Sequence, residues 1–252
     1  MRPPENILHT WKKFDDFPME TLTKLWVFQQ EGRGKQRSVS LMREHRQRYS
    51  MSGNCFDLAL WLLDEFRRDG IKAYPIGHHI LTEEAHVAVV ALDEKGRRFL
   101  CDLGDQWLTP ILVDGTSDEF SSRRLSGFFP AAEVRVKPQA SHVEVFYYRP
   151  NSKFSTQRYD LQPIEMDEFL RAANYSQNVI RPFPLVECRI PFKEEQAHWE
   201  FDNWSSFLST SEGLIYDFEV TTVEEWVNRI YEKTRYNKGI LKKVLEKYEK
   251  LK

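Results

Sequence analysis

Residues 52–70 read SGNCFDLALWLLDEFRRDG, and their pattern decides the fold. Phe56, Leu58, Ala59, Trp61, Leu62, Leu63 and Phe66 recur as a broad helical stripe. Ser52 or Asn54 can cap its start, and Gly70 after Arg67-Arg68-Asp69 ends it. Cys55 therefore falls in the first turn of a largely buried helix. Unpaired N–H groups and the helix dipole favour a thiolate at such a place. Gly53, two residues earlier, lets a substrate come close to the backbone.

Downstream of Gly70 the period changes. IKAYPIGHHI (71–80) reads as a strand, AHVAVVAL (85–92) as a buried one, and RRFLCDLG (97–104) as its return after the turn Asp93-Glu94-Lys95-Gly96. With a loop of Asp93-Glu94-Lys95, Leu92 pairs with Gly96, and His86 then faces Asp102 on the same face of neighbouring strands. A thiol nucleophile needs an imidazole, and the imidazole needs an orienting acceptor. Cys55, His86 and Asp102 supply all three. Each is ordinary alone: a cysteine on an apolar helix is more often inert core, and Asp102 could cap a turn with Gly104. The combination, with the cysteine at a helix start, points to catalysis.

Cys101 should point to the opposite face from Asp102 and pack, as should Cys188 in LVECRI. His78, His79, Glu83, Glu84 and His86 crowd together, but their spacing fits no zinc pattern, so no metal is expected. Trp199, Phe201, Trp204 and Phe207 read as core. Trp107, Phe128 and Phe129, which follow Asp102, either line a substrate pocket or pack.

Working outward, METLTKLWVFQQ (19–30) is helical after Pro18, and the first fifty residues read as helices. EGRGKQRS (31–38) is an exposed loop. Arg33, Lys35, Arg37, Arg43, Arg46 and Arg48 read as a solvated loop and helix face rather than an anion site. Further strands are expected at EVRVK (133–137), HVEVFYYR (142–149), Phe154 to Leu161, LVECRI (185–190), HWEF (198–201) and LIYDFEV (214–220). MDEFLRAANYSQ (166–177) is a helix; another opens at Thr222, with Glu225 completing a capping box, and an amphipathic helix runs from Lys238. Helices, then strands, then a mixed tail make an α+β protein.

The chain has 252 residues, 36 basic and 38 acidic side chains and a net charge of −2, so nothing global draws it to nucleic acid or an anionic membrane. The opening MRPPENILHT holds no apolar run of signal-peptide type, and no stretch approaches a membrane span. Three irregularly spaced cysteines make no disulfide framework, so a reduced, cytoplasmic setting is expected.

The run GNCFDLALWLLDEFRRDGIKAYPI, then AHVAVVAL, then FLCDLGDQWLTPI, resembles the arylamine N-acetyltransferase family. That family carries a Cys–His–Asp triad in this order, with a D-x-G after the second strand, matching Cys55, His86 and Asp102-Leu103-Gly104. FLRAANYSQN followed by PFPLVECRI extends the likeness toward the C-terminus.

The resemblance implies a cysteine-proteinase-like core in three parts. Residues 1–75 would be a helical bundle carrying Cys55 at a helix start, 76–162 a central antiparallel β-barrel with His86 and Asp102, and 163–252 an α/β lid. It implies ping-pong transfer from acetyl-CoA or another acyl-CoA through Cys55 to an arylamine or hydrazine. Gly104 would contact the coenzyme, no metal would take part, and the protein would be a monomer or homodimer. Two turns depart from the family. Ser52-Gly53-Asn54 replaces Arg-Gly-Gly, and Gly104-Asp105-Gln106 replaces Gly-Phe-Gly, which bears on donor and acceptor alike. The alternative is a transglutaminase-like amidase, peptidase or cross-linking enzyme on the same triad, and a third reading is a degenerate ligand-binding relative.

Overall fold

A computed structural model of the chain describes residues 1–251. Helices α1 (Glu5–Lys12), α2 (Leu22–Glu31), α3 (Val39–Tyr49) and α4 (Cys55–Arg68) come first, with a short strand β1 (Met19–Glu20) between α1 and α2. Eight strands follow. β2 (Ala73–His78), β3 (His86–Leu92), β4 (Arg98–Cys101) and β5 (Ile111–Leu112) form one antiparallel sheet. β6 (Leu125–Phe129), β7 (Ala132–Pro138), β8 (His142–Tyr148) and β9 (Phe154–Asp160) form a second. After α5 (Met166–Asn178) come β10 (Leu185–Phe192), β11 (Glu195–Asp202), β12 (Ser205–Thr210) and β13 (Gly213–Tyr216), then α6 (Val223–Thr234) and α7 (Lys238–Glu249). The α+β expectation holds. Among the described residues no helix is long and apolar enough to cross a membrane.

The expected β-barrel is instead two separate four-stranded sheets, with no closed barrel among the described residues. The C-terminal strands form a third sheet in the order β1-β10-β11-β12-β13, so its edge is a strand from the N-terminal segment. LIYDFEV pairs only as far as Tyr216. Beyond it Asp217 turns in, its carboxylate accepting from Trp199 Nε1 at 2.8 Å and Ser206 Oγ at 2.6 Å.

Two apolar cores hold these layers. In the first, Phe56, Leu58, Leu62 and Phe66 of α4 pack with Val87, Val89 and Val90 of β3. Each large side chain so buried contributes about 1.5–3 kcal/mol. In the second, Val186, Trp199 and Phe201 of the third sheet pack with Leu22 and Leu25 of α2 and with Trp226, Ile230, Leu241 and Val244 of the last two helices. Trp199 and Phe201 are core as expected. The capping box of α6 forms: Thr222 Oγ1 accepts from Glu225 N, and Glu225 Oε2 accepts from Thr222 N at 3.0 Å.

Helix α4 starts on a capping box of its own. Asn54 Oδ1 accepts from the N–H groups of Phe56 and Asp57, at 3.0 and 3.2 Å, and Asp57 Oδ2 accepts from Asn54 N at 3.2 Å. Asn54, not Ser52, is therefore the cap. The Ser52 hydroxyl bonds Pro18 O and the hydroxyl of Tyr236, which pins the turn before Cys55 to the C-terminal helices.

Half of the basic cluster is the solvated face expected, with Arg33, Lys35 and Arg48 exposed, but Arg37, Arg43 and Arg46 are not part of it. Arg37 is 4% exposed and Asp57 1%, and the guanidinium lies 3.1 Å from the carboxylate while donating to Ser52 O. Arg43 pairs with Asp64 and Glu65, both at 2.6 Å, and Arg46 with Asp16 at 2.7 Å. These arginines tie loop and α3 to α4 and to the segment before α2. Gly53 sits inside this arrangement at φ 143°; a Cβ there would lie 2.2 Å from Asp57 Oδ2 and 2.5 Å from Arg37 Nη2.

Candidate active site

Cys55 is the first residue of α4 and is partly exposed. The cap leaves its N–H free: Asn54 Oδ1 takes those of Phe56 and Asp57, and Cys55 N has no partner among the described residues. Asn54 Nδ2 is buried and also without a partner, on a side chain that is 5% exposed and borders the same cavity as Cys55. Two unused N–H donors thus accompany the thiol.

His86 opens β3, and Asp102 follows the end of β4. The β3–β4 register differs from the expected one, because Leu92 pairs with Arg98. Asp93 makes the longer loop: its Oδ1 accepts from Lys95 N at 2.9 Å and Arg97 N at 2.8 Å, and its own N–H donates to Arg97 O at 3.1 Å. The shift is two residues, which preserves the face each side chain takes. His86 Nε2 lies 2.7 Å from Asp102 Oδ2, with Asp102 fully buried.

Since Nε2 is committed to Asp102, Nδ1 is the ring nitrogen left for Cys55. Burial alone would pull the imidazole pKa down. The charges of Asp102 and Asp105 and the hydrogen bonds with Asp102 and Cys55 outweigh it and hold the ring well above its ordinary 6.5.

Gly104 makes room for this contact. A Cβ at Gly104 would stand 2.8 Å from Cys55 Cβ, 3.1 Å from His86 Cε1 and 3.2 Å from Asp102 Oδ1. The three residues singled out in the sequence are brought together, and Gly104 lies between them.

Two further residues complete the site: Tyr159, for which the sequence gives no functional signal, and Asp105, which it marks only as a departure from the family's turn. Tyr159, buried on β9, donates its one hydroxyl proton to Asp102 Oδ2 at 3.0 Å, while Asp105 Oδ2 lies 3.3 Å and the Tyr147 hydroxyl 3.2 Å from the same oxygen. Asp105 Oδ1 lies 3.7 Å from His86 Nε2. Burial, with the Asp102 charge adding to it, raises the Asp105 pKa against the pull of His86. Strand alternation in PNSKFSTQRYD marks Tyr159 only as inward-facing and carries no signal of its partner.

Ligand atoms of His86, Asp102 and Asp105 lie within 4.8 Å of one another, a set that could hold a metal. The nitrogen nearest both carboxylates is the one bonded to Asp102, so ligation there would break that hydrogen bond. The histidines considered as ligands stay close, the His78 ring centroid lying 5.6 Å from that of His86 and 5.4 Å from that of His79, but only His86 joins the carboxylates of Asp102 and Asp105. Cys101 and Cys188 are buried free thiols, both raised by burial, Cys188 to about 12. Trp107 is fully buried against Phe129 and Tyr147 and is core.

The thiol and imidazole open on a cavity of about 390 Å³, bordered also by Lys24, Gly104, Arg181 and Tyr248. A second cavity, of about 450 Å³, lies between β9 and the third sheet, bordered by Phe129, Arg149, Glu187 and His198. Asp105 borders both.

No protein-family model matches the chain, and no curated protein matches it in sequence. Solved structures do. The M. tuberculosis arylamine N-acetyltransferase superposes with a TM-score of 0.73 at 12% identity, covering 100% of this chain and 94% of that one. The chain has the arylamine N-acetyltransferase fold. The Salmonella typhimurium enzyme matches at TM-score 0.69 and 15% identity, over 94% of this chain and 89% of that one. The Mycobacterium marinum enzyme in complex with CoA matches at 0.70 and 8%, over 92% and 88%. The arylamine N-acetyltransferase fold is thus kept across nearly the whole chain, on few shared residues.

Proposed function

We propose that the chain is an acyl-CoA-dependent N-acyltransferase working by a ping-pong route through an acyl thioester on Cys55. One observation carries this reading: a Cys–His–Asp array, floored by Gly104 and open to a cavity, in a chain with the fold of arylamine N-acetyltransferases. A solved relative binds CoA, which supports an acyl-CoA as donor. The fold likeness favours this over a transglutaminase-like amidase.

In the first half-reaction the Cys55 thiolate attacks the thioester carbonyl. The carbonyl oxygen takes the charge, and we assign the unpartnered Cys55 N–H to receive it. The carbon–sulfur bond to the coenzyme breaks, and the departing thiolate takes a proton from the His86 imidazolium. In the second half-reaction the amine nitrogen attacks the Cys55 thioester and His86 accepts its proton. The carbon–sulfur bond to Cys55 breaks, returning thiolate and imidazolium. Asp102 holds the imidazole in one orientation throughout, and Gly104 borders the donor's path.

We assign the parts to three segments: residues 1–75 bring the nucleophile, 76–162 the base and its partner, and 163–252 the cover. Reduced thiols fit a cytoplasmic enzyme acting as a monomer or homodimer on small amines. Initial-rate kinetics with acetyl-CoA and an arylamine test the proposal. Parallel double-reciprocal lines are expected, and intersecting lines, or no release of CoA, would sink it.

A further inference from the structure

Lys24 lies in the first turn of α2 and borders the cavity that holds Cys55 and His86. Its ammonium makes no hydrogen bond or ion pair with any described residue. Two features make this position costly. A cation in the first turn of a helix opposes the helix dipole, and a partly buried cation without a partner loses hydration with nothing in return.

None of the carboxylates around it forms an ion pair with it, and the Coulombic relief it has comes from Cys55 and Asp57. Glu83 and Glu84 border the same cavity but are exposed, and neither reaches Lys24 within ion-pair distance. Asp57 is taken by Arg37, Gln36 and Gln177. Asp105 lies beside Tyr159 and faces His86. Arg181 adds a second positive charge to the wall, with one nitrogen donating to Glu83 O. Burial brings Lys24 down to about 8, with the charges on Cys55 and Asp57 opposing the fall, so it is still protonated near neutrality.

We infer that Lys24 is the recognition point for a carboxylate carried by a substrate of the Cys55 cavity. The inference rests on the acyltransferase reading and deepens it. The carboxylate can sit on the transferred acyl group, as in a dicarboxylic half-thioester, or on the amine acceptor. In either place it would lie beside the reacting carbon and supply the ion-pair partner that the protein withholds.

The first test needs no turnover. Cys55 is alkylated with iodoacetate and, in parallel, with iodoacetamide, in the wild-type protein and in Lys24→Met and Lys24→Arg. The ratio of the two rates is expected to fall by about tenfold in Lys24→Met and to be largely kept in Lys24→Arg. Two turnover arms then locate the carboxylate: succinyl-CoA against butyryl-CoA with aniline, and 4-aminobenzoate against 4-toluidine with acetyl-CoA. The kcat/KM ratio of charged to neutral substrate should drop about tenfold in Lys24→Met in one arm, and that arm names the source. An alkylation ratio that ignores Lys24→Met overturns the inference. So does a ratio that moves while neither arm follows, since Lys24 would then attract an anionic reagent without recognising a substrate. If neither reagent alkylates Cys55, the nucleophile reading itself fails, a result distinct from the others, and this inference falls with it.

Discussion

The imidazole of His86 and the hydroxyl of Tyr159 meet on a single oxygen, Asp102 Oδ2, at 2.7 and 3.0 Å. A carboxylate oxygen that accepts twice is fixed in rotation, so Tyr159 positions the acid that positions the base. Removing that donor in Tyr159→Phe leaves the ring in place. A hydrogen bond to a charged group is worth about 1.5–3 kcal/mol, so a loss of roughly 10–100-fold in kcat/KM is expected. The rate of Cys55 alkylation against pH checks it, because a freed Asp102 should move the His86-dependent limb toward lower pH. An unmoved profile would make Tyr159 merely a core residue.

Gly104→Ala inserts a methyl 2.8 Å from Cys55 Cβ, on the helix, and 3.1 Å from His86 Cε1, on the sheet. The site must open, at a cost of about 1–3 kcal/mol. Turnover and Cys55 alkylation should both fall while circular dichroism stays unchanged. Unimpaired alkylation would mean that the close approach of thiol and imidazole is not needed.

Arg37 and Asp57 form a buried pair under the turn that carries Cys55. Removing one partner strands the other, which costs about 3–5 kcal/mol. Arg37→Met should therefore lower Tm by about 6–20 °C, taking 2–4 °C per kcal/mol. A thermal melt within a degree or two of wild type would contradict the pairing.

The raised pKa of His86 also links stability to pH. The folded state holds this proton more tightly than the unfolded chain, whose histidine titrates near about 6.5. The stabilisation is complete below that value and is lost as pH rises through the higher folded pKa. The difference in Tm between wild type and His86→Gln should shrink on going from pH 6 toward alkaline pH, provided the folds match. A gap that widens would reverse the sign and remove the imidazolium from the account.

Much of this site could be read along the chain, for local reasons. The helix start at Cys55 is encoded in adjacent residues, Asn54 and Asp57. The His86–Asp102 contact survived a misjudged loop because strands repeat every second residue, and the loop was longer by two. What escaped depends on distant partners. Arg37 looks like surface charge until α4 brings Asp57 under it. Tyr159 lies on a different sheet from Asp102, and no local pattern reports that meeting. The expected barrel dissolved into two sheets because pairing stops between β5 and β6, across a stretch whose residues signal only turns. Strand β1 reads locally as the start of a helix, since the partners of its two residues, Gly53 and β10, lie far along the chain.

The central claim is that Cys55 carries the acyl group between donor and acceptor. Mass spectrometry of the intact protein after brief incubation with acetyl-CoA, with Cys55→Ala as control, addresses it directly. The account expects a single acetyl adduct that requires Cys55 and disappears when an arylamine is added. An adduct that persists in Cys55→Ala would contradict it, as would an adduct on Cys55 that no amine discharges.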